Sequence, residues 1–170
     1  MVEQAAQVLL SGADMCCPWR SEDIAYKTQV VVDCYLRIPI YKPPVDQILS
    51  VTPDIKYHGV KLIPCSCDGY KVSVYGVMDI SIEYVGVDAF QQVHYGHYST
   101  PFHGLISGER DGDPIADDIP DLIKSGLHTC VEYLELVPAD GRTLNQLAVL
   151  LIWIDRKGKR LICRESRLCP

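Results

Sequence analysis

The residues of this 170-residue chain best suited to chemistry are its eight cysteines. Two close pairs, Cys16-Cys17 and Cys65-x-Cys67, and the lone Cys169 lie in predicted tails or at a predicted loop tip. Thiols form disulfides, bind metals or act as nucleophiles, and their surroundings decide between these roles. Adjacent cysteines rarely bond each other, because the ring that closes is strained. We therefore expect Cys16 and Cys17 to find partners elsewhere in the chain or in another chain.

Placement divides the cysteines into two groups. Cys34 falls on the apolar register of a predicted strand, and so does Cys130 if Leu134 and Leu136 face inward. These two cysteines either form an internal disulfide or are buried free thiols. The others favour bridges between subunits, from the N-terminal pair to the loop pair or to the C-terminal cysteines, with intrachain bridges and reduced thiols as alternatives. The candidates for intersubunit disulfides are Cys16, Cys17, Cys65, Cys67, Cys163 and Cys169.

A metal centre or a catalytic thiol fits the spacing less well. Structural zinc sites usually show two ligand pairs about two to four residues apart, whereas these pairs are CC and CxC. His94, His97 and His103 are close in sequence, but on an extended strand His94 and His97 point to opposite faces. A catalytic cysteine needs a positioned histidine base, and no local signature predicts one. We expect no metal, no cofactor and no enzymatic activity.

The acidic segment 109–121 raises the question of calcium. Its carboxylates include Asp111, Asp113, Asp117 and Asp118. The segment lacks the D-x-D-x-D-G spacing and the closing glutamate of an EF-hand loop. A solvated turn is therefore the preferred interpretation.

The composition narrows the class of protein. Its length and its hydrophobic share of 48% are those of one ordinary globular domain. A formal net charge of −6 argues against nucleic acid as a partner, because phosphate binding needs clustered Lys and Arg. No apolar run approaches the ~20 residues that span a membrane, and residues 1–13 lack the basic region of a signal peptide. Abundant cysteine without such a signal is a conflict, since disulfides normally accompany export.

The elements that position these groups are strands, and residues 70–84 have the clearest strand pattern. Apolar and polar residues alternate there, because successive side chains leave a strand on opposite faces. Gly76, in the middle of the run, is expected to mark a bend, a bulge or the close approach of another backbone. The residues predicted to face the core are Val72, Val74, Met78, Ile80, Ile82 and Tyr84.

The rest of the chain continues this all-β pattern. About seven strands separated by turn signals, without a convincing amphipathic helix, predict an antiparallel β-sandwich. The sandwich is expected over residues 26–164, with an extended N-terminal arm over 1–25 and a C-terminal tail over 165–170. The further strands are predicted over residues 28–38, 55–64, 92–107, 126–137, 143–155 and 159–164, with a connector over 45–54.

The central part of the chain resembles a known family. An ordered set of motifs runs through residues 26–108, about half the chain: a strand glycine, Ile-x-Tyr, Val-His and then Pro-Phe. These residues are Gly76, Ile82, Tyr84, Val93, His94, Pro101 and Phe102. In this order they resemble the SPOCS domain of spore coat and spore-morphogenesis proteins of endospore-forming bacteria. The family carries no known catalytic residues. The peptidoglycan-binding module of its morphogenetic members has no counterpart after Val137.

The predicted N-terminal arm resembles a part of known fibre subunits. Its Cys16-Cys17 pair is similar to the N-terminal arms of endospore appendage subunits, which bond covalently to neighbours in a fibre. The resemblance implies a structural subunit that assembles with itself, head to tail, and with other spore-coat proteins. Such a protein is made in the mother-cell cytoplasm without a signal peptide and reaches the spore surface, where its thiols oxidise after lysis. The alternative is a non-polymeric adaptor or binding module of spore-coat morphogenesis.

Overall fold

The structure, a computed structural model, describes residues 8–11, 24–65, 69–106 and 127–155. All regular elements within these residues are β-strands, which confirms the predicted all-β class. The strands are β1 (Val8–Ser11), β2 (Ile24–Arg37), β3 (Val45–Cys65), β4 (Gly69–Gly86), β5 (Val93–Ile106), β6 (Leu127–Asp140) and β7 (Thr143–Asp155). Six of them are long, and β1 spans four residues.

Two antiparallel sheets are formed. One has four strands in the order β1-β6-β7-β2, and the other has three in the order β3-β4-β5. Strands that follow each other in the chain pair as hairpins in β3-β4, β4-β5 and β6-β7. Strand β2 instead pairs with β7, which is far from it in sequence. Each sheet therefore has two edge strands, and among the described residues each edge strand is paired on one side only.

Strand β4 lies at the centre of the three-stranded sheet, and its alternation is as predicted. The six side chains predicted to face inward are at most 1% exposed. They belong to one core cluster with side chains of the four-stranded sheet, including Leu134, Leu136, Leu150 and Ile152. The inner faces of both sheets thus contribute to a shared core.

The connector predicted over residues 45–54 is wrong, because β3 begins at Val45 and continues to Cys65. Its pairing with β4 shifts register three times, between Val45 and Gln47, Ile48 and Ser50, and Tyr57 and Gly59. At each shift, two residues of β3 lie opposite one residue of β4, and the pairing continues beyond them. The alternation of inward and outward side chains along β3 is interrupted at these points.

A strand is also present inside the predicted N-terminal arm. Residues Val8–Ser11 form β1, which pairs antiparallel with β6 through Leu9 opposite Glu135 and Leu10 opposite Leu134. Residues 1–7 and 12–23 of the arm lie outside the described residues. So do the acidic segment 109–121, the strand predicted over 159–164 and the C-terminal tail.

Candidate functional site

Cys34 is a free thiol on the inner face of β2. It is half-buried and packs against the shared core. Its Sγ lies 3.4 Å from Oγ1 of Thr100 on β5, and either group can donate the hydrogen bond. Cys34 therefore sits where the edge strands of the two sheets, β2 and β5, come together.

Cys130 lies on the opposite face of the four-stranded sheet. Leu134 and Leu136 face the core, but the register of β6 shifts between Val131 and Tyr133. That shift turns Cys130 outward, where it packs with Leu151 and Trp153 apart from the shared core. Cys34 is a free thiol, so Cys34 and Cys130 do not bridge each other.

The structure describes little of the other predicted bridge residues. Cys65 is the last residue of β3, and its backbone pairs with Gly69 at the far end of the β3-β4 hairpin. Cys16, Cys17, Cys67, Cys163 and Cys169 lie outside the described residues. Their intersubunit disulfides stay a prediction.

A polar network on the outer face of the three-stranded sheet was missed by the sequence analysis. Asp79 of β4 accepts a hydrogen bond from Lys56 Nζ at 2.7 Å and another from the Ser99 hydroxyl. His97 Nε2 lies 3.9 Å from the same carboxylate, and Lys56 Nζ is 3.5 Å from Asp54. The Asp79 side chain is only 9% exposed although it points away from the core. The register of β3, β4 and β5 brings these residues together, because Asp54, Asp79 and Ser99 pair directly across the strands.

The electrostatics of this network favour a fixed ion pair. The hydrogen bond from Lys56 is the main reason that the pKa of Asp79 lies below its ordinary value, and the Ser99 hydroxyl adds to it. The same contact raises the pKa of Lys56. Like charges directly opposite on neighbouring strands repel, and Lys56 offsets this repulsion between Asp54 and Asp79. A carboxylate with a lowered pKa is a poor general base near neutral pH, so the geometry points to a stabilising role.

The histidines of β5 divide between two faces, as the strand period predicts. His94 Nε2 lies 3.2 Å from Asp88 Oδ2, and the His94 ring packs on the buried ring of Tyr84. On the other face, His97 Nδ1 contacts Ser81 Oγ at 3.3 Å. In the described parts of the chain, no three His, Cys, Asp or Glu side chains come close enough together to hold a metal ion.

Two turns meet at one end of the molecule and expose apolar side chains. The turn after β2 and the turn between β4 and β5 are joined by a hydrogen bond from Val87 N to Pro44 O at 2.9 Å. Tyr84 Oη donates to Pro43 O at 3.3 Å, and Lys42 Nζ donates to the carbonyl of Tyr95. We call the exposed apolar side chains here the tip patch: Ile40, Tyr41, Val87, Phe90, Val93 and Tyr95.

Beside the tip patch, Arg142 anchors the turn that follows β2. Its Nη1 donates to Pro39 O at 3.0 Å and to Lys42 O at 2.9 Å. A cleft of about 420 Å³ lies next to it, lined by Arg37, Ile38, Pro44, Asp140, Gly141, Arg142 and Thr143. The backbone amide of Arg142 is the main reason that the pKa of Asp140 is lowered. Both charged groups therefore stabilise the turns of this end.

Comparison with protein-family models, curated proteins and solved structures found no match to the chain. Nor do the described residues contain a helix long and apolar enough to cross a membrane.

Proposed function

We propose that this protein is a self-assembling structural subunit of a bacterial spore-surface fibre or coat layer, cross-linked between subunits by disulfides. The unit is a β-sandwich of about seven strands, whose two sheets enclose the core that they share. Subunits join head to tail. The protein acts as a building block rather than an enzyme, and other spore-coat proteins are further partners.

The observation that carries this proposal is strand β1. A short piece of the N-terminal arm adds to the edge of the four-stranded sheet, in register with β6 from Tyr133 to Leu136. An edge that accepts this segment within one chain presents the same hydrogen-bonding groups to the arm of a neighbouring subunit. Strand addition gives affinity through the backbone, so it supports the idea that an arm links one subunit to the next.

The cysteine pair of the arm carries the covalent part of the proposal. Its acceptors in a neighbouring subunit are the loop pair Cys65 and Cys67 or the C-terminal cysteines Cys163 and Cys169. A bridge to Cys16 or Cys17 of a neighbour would join two thiols, which lose two protons and two electrons to an oxidant such as dioxygen. In a spore-surface protein this oxidation follows lysis of the mother cell, which reconciles abundant cysteine with synthesis in a reducing cytoplasm.

Electrophoresis without reductant tests the covalent assembly. We expect purified, air-oxidised protein to give a ladder that survives boiling and collapses to monomer with reductant. Cys16→Ser/Cys17→Ser should shorten the ladder to few rungs. Cys65→Ser/Cys67→Ser tests the proposed acceptor loop in the same way. A clean monomer in both lanes would refute the cross-linked polymer and favour the non-polymeric adaptor.

A proline in β1 tests the strand addition separately from the disulfides. Leu10→Pro removes one backbone donor from the segment that pairs with β6, whereas Leu10→Ala keeps it. We expect Leu10→Pro to shorten fibres seen by negative-stain electron microscopy and Leu10→Ala to shorten them less. Equal fibre lengths for the two variants would show that backbone pairing of this segment is not used in assembly.

A further inference from the structure

The exposed large apolar side chains of this protein are concentrated at its two ends. Thirteen are found among the described residues, and six of them form the tip patch. Three more lie on the outer face of the three-stranded sheet, toward its other end, and we call these the distal patch: Ile63, Tyr75 and Leu105. Val31, Tyr35, Leu49 and Leu62 belong to neither patch, and Leu62 lies on the inner face because it pairs with the buried Val72.

The strand pairing shows that the two patches are at opposite ends. At the tip, Val45 at the start of β3 pairs with Gly86 at the end of β4, and Val93 at the start of β5 pairs with Val85. Toward the distal end, Ile63 pairs with Lys71, and Leu105 pairs with Ser73. The three strands therefore run the full distance between the patches.

The turns that carry the tip patch are held in place. Its two turns are bonded to each other through Val87 and Pro44, and Arg142 fixes the first of them through two carbonyls. Ile40 and Phe90 are 89% and 84% exposed, so both project into solvent rather than packing on their own chain.

The area of the tip patch is that of an interface. Three of its members are aromatic and 63% to 84% exposed, which leaves on the order of 400 Å² of aromatic surface in water. Two valines and an isoleucine add to this. A typical monomer's largest apolar patch is ~300–600 Å² and often functional, and a stable interface buries roughly 800 Å² per partner.

The distal patch is a shallower surface spread over three strands. Leu105 and Lys61 flank Ser73 in one cross-strand row, and the ring of Tyr75 lies over Gly59 in the neighbouring row. Ile63, Tyr75 and Leu105 are 38% to 42% exposed, about half the exposure of the tip residues. The side chains that project at the tip of one copy can contact these less exposed side chains of another.

We propose that the tip patch of one copy docks on the distal patch of a second copy. This inference rests on the proposed function and names its non-covalent head-to-tail contact. Two different patches at opposite ends make a heterologous contact, which repeats without closing and gives a filament. A tip-to-tip dimer would leave both distal patches in water, so the head-to-tail contact buries more apolar surface in each copy.

The test uses full-length protein under reductant, so that only non-covalent contacts are measured. The tip variant is Ile40→Ser/Phe90→Ser, and the distal variant is Ile63→Ser/Leu105→Ser. The matched control, Val31→Ser/Tyr35→Ser, changes two exposed apolar residues of β2 that belong to neither patch. Circular dichroism and melting temperature verify that each variant is folded, and sedimentation velocity measures association.

We expect wild type and control to associate as the concentration rises, and each patch variant to associate at least roughly tenfold more weakly. Mixing the two patch variants gives the sharpest result. Each retains the patch that the other lacks, so an equimolar mixture should form heterodimers and nothing larger.

Three results would overturn the proposed contact. The first is self-association of the distal variant alone, which would indicate tip-to-tip pairing. The others are unchanged association of the tip variant and a wild type that stays monomeric. Electrophoresis without reductant separates this failure from that of the proposed function. A covalent ladder of wild type would leave the cross-linked polymer standing without this contact. Absence of both the ladder and association would reject the two proposals together.

Discussion

At the scale of single residues, two buried polar side chains differ in how they are satisfied. Asp79 on the outer face has donors from Lys56 and Ser99. Gln146 of β7 is fully buried on the inner face, and neither its amide nitrogen nor its amide oxygen has a hydrogen-bond partner in the described structure. A buried amide without partners lowers stability, so Gln146 is a weak point of the core and Asp79 is not.

Replacing Gln146 should therefore stabilise the protein. Gln146→Met keeps the length of the side chain and removes both polar ends, and we expect the free energy of unfolding to rise by about 1–3 kcal/mol. Chemical denaturation measures the change. The exposed neighbour Asn145→Leu is the control and should change stability by no more than about 0.5 kcal/mol. A loss of stability in Gln146→Met would show that the amide is hydrogen-bonded, for example to a buried water.

Asp79 should make stability depend on acid pH. A carboxyl whose pKa is lowered by folding contributes stability that is fully present above its ordinary pKa of 3.8 and is lost as pH falls below that value. Asp79→Asn removes this contribution. We expect the variant to melt below wild type at pH 6, and the gap to close as the pH approaches 2. Asp54→Asn, at a more exposed carboxylate of the same cluster, should give a smaller gap. A gap independent of pH would contradict this role.

At the scale of strands, shifts of register decide which faces the side chains occupy. The shift in β3 between Tyr57 and Gly59 lies opposite Gly76, the glycine in the middle of β4. A Cβ at Gly76 would collide with the carbonyl oxygen of Lys56 and lie 3.0 Å from Phe102 Cζ. The expected close approach of another backbone at Gly76 is thereby confirmed, and the bulge and the glycine form one local adaptation.

Gly76→Ala should consequently destabilise the three-stranded sheet. The added methyl meets backbone, which cannot rotate away, so we expect a loss of about 1–3 kcal/mol in the free energy of unfolding. Gly141→Ala is a milder comparison, because its Cβ would meet only Pro44 Cβ, at 3.2 Å. Thermal and urea unfolding of both variants measure the difference. Equal stability of the two variants would mean that β3 moves aside at little cost.

At the scale of the whole molecule, charge opposes association while the end patches favour it. The formal net charge of −6 makes copies repel each other at neutral pH, and the repulsion falls as the pH approaches the pI of about 5.3. Apolar contact between the two ends does not depend on charge. Assembly should therefore be limited by electrostatics at low ionic strength.

Light scattering under reductant tests this balance. We expect association of wild type to be stronger at pH 5.5 than at pH 8 in low salt, and the difference to shrink at about 0.15 M salt because screening already removes the repulsion. Thiol oxidation slows as the pH falls, so reductant is added to prevent it from contributing to the difference between pH 5.5 and pH 8. Association that ignores both pH and salt would show that net charge does not control assembly.

Local alternation was enough to predict much of this fold. The core face of β4 and the opposite faces of His94 and His97 follow from the period of two, which depends only on the backbone of the strand itself. The predicted strand over residues 143–155 likewise matches β7. Where pairing is regular, a strand's own residues determine its inward side, so the sequence by itself determined the all-β class and the core face of β4.

Other features depend on residues far apart in the chain, and only the tertiary structure decided them. Register shifts made the first half of β3 unrecognisable from its sequence and turned Cys130 away from the core. A bulge depends on how two strands pair, so the alternation within one strand does not predict it. Asp79 is buried on an outer face because Lys56 and Ser99 reach it from β3 and β5. The tip patch gathers residues from two turns about fifty positions apart, and strand pairing alone sets it at the opposite end from the distal patch. Long-range pairing places side chains that sequence spacing does not relate.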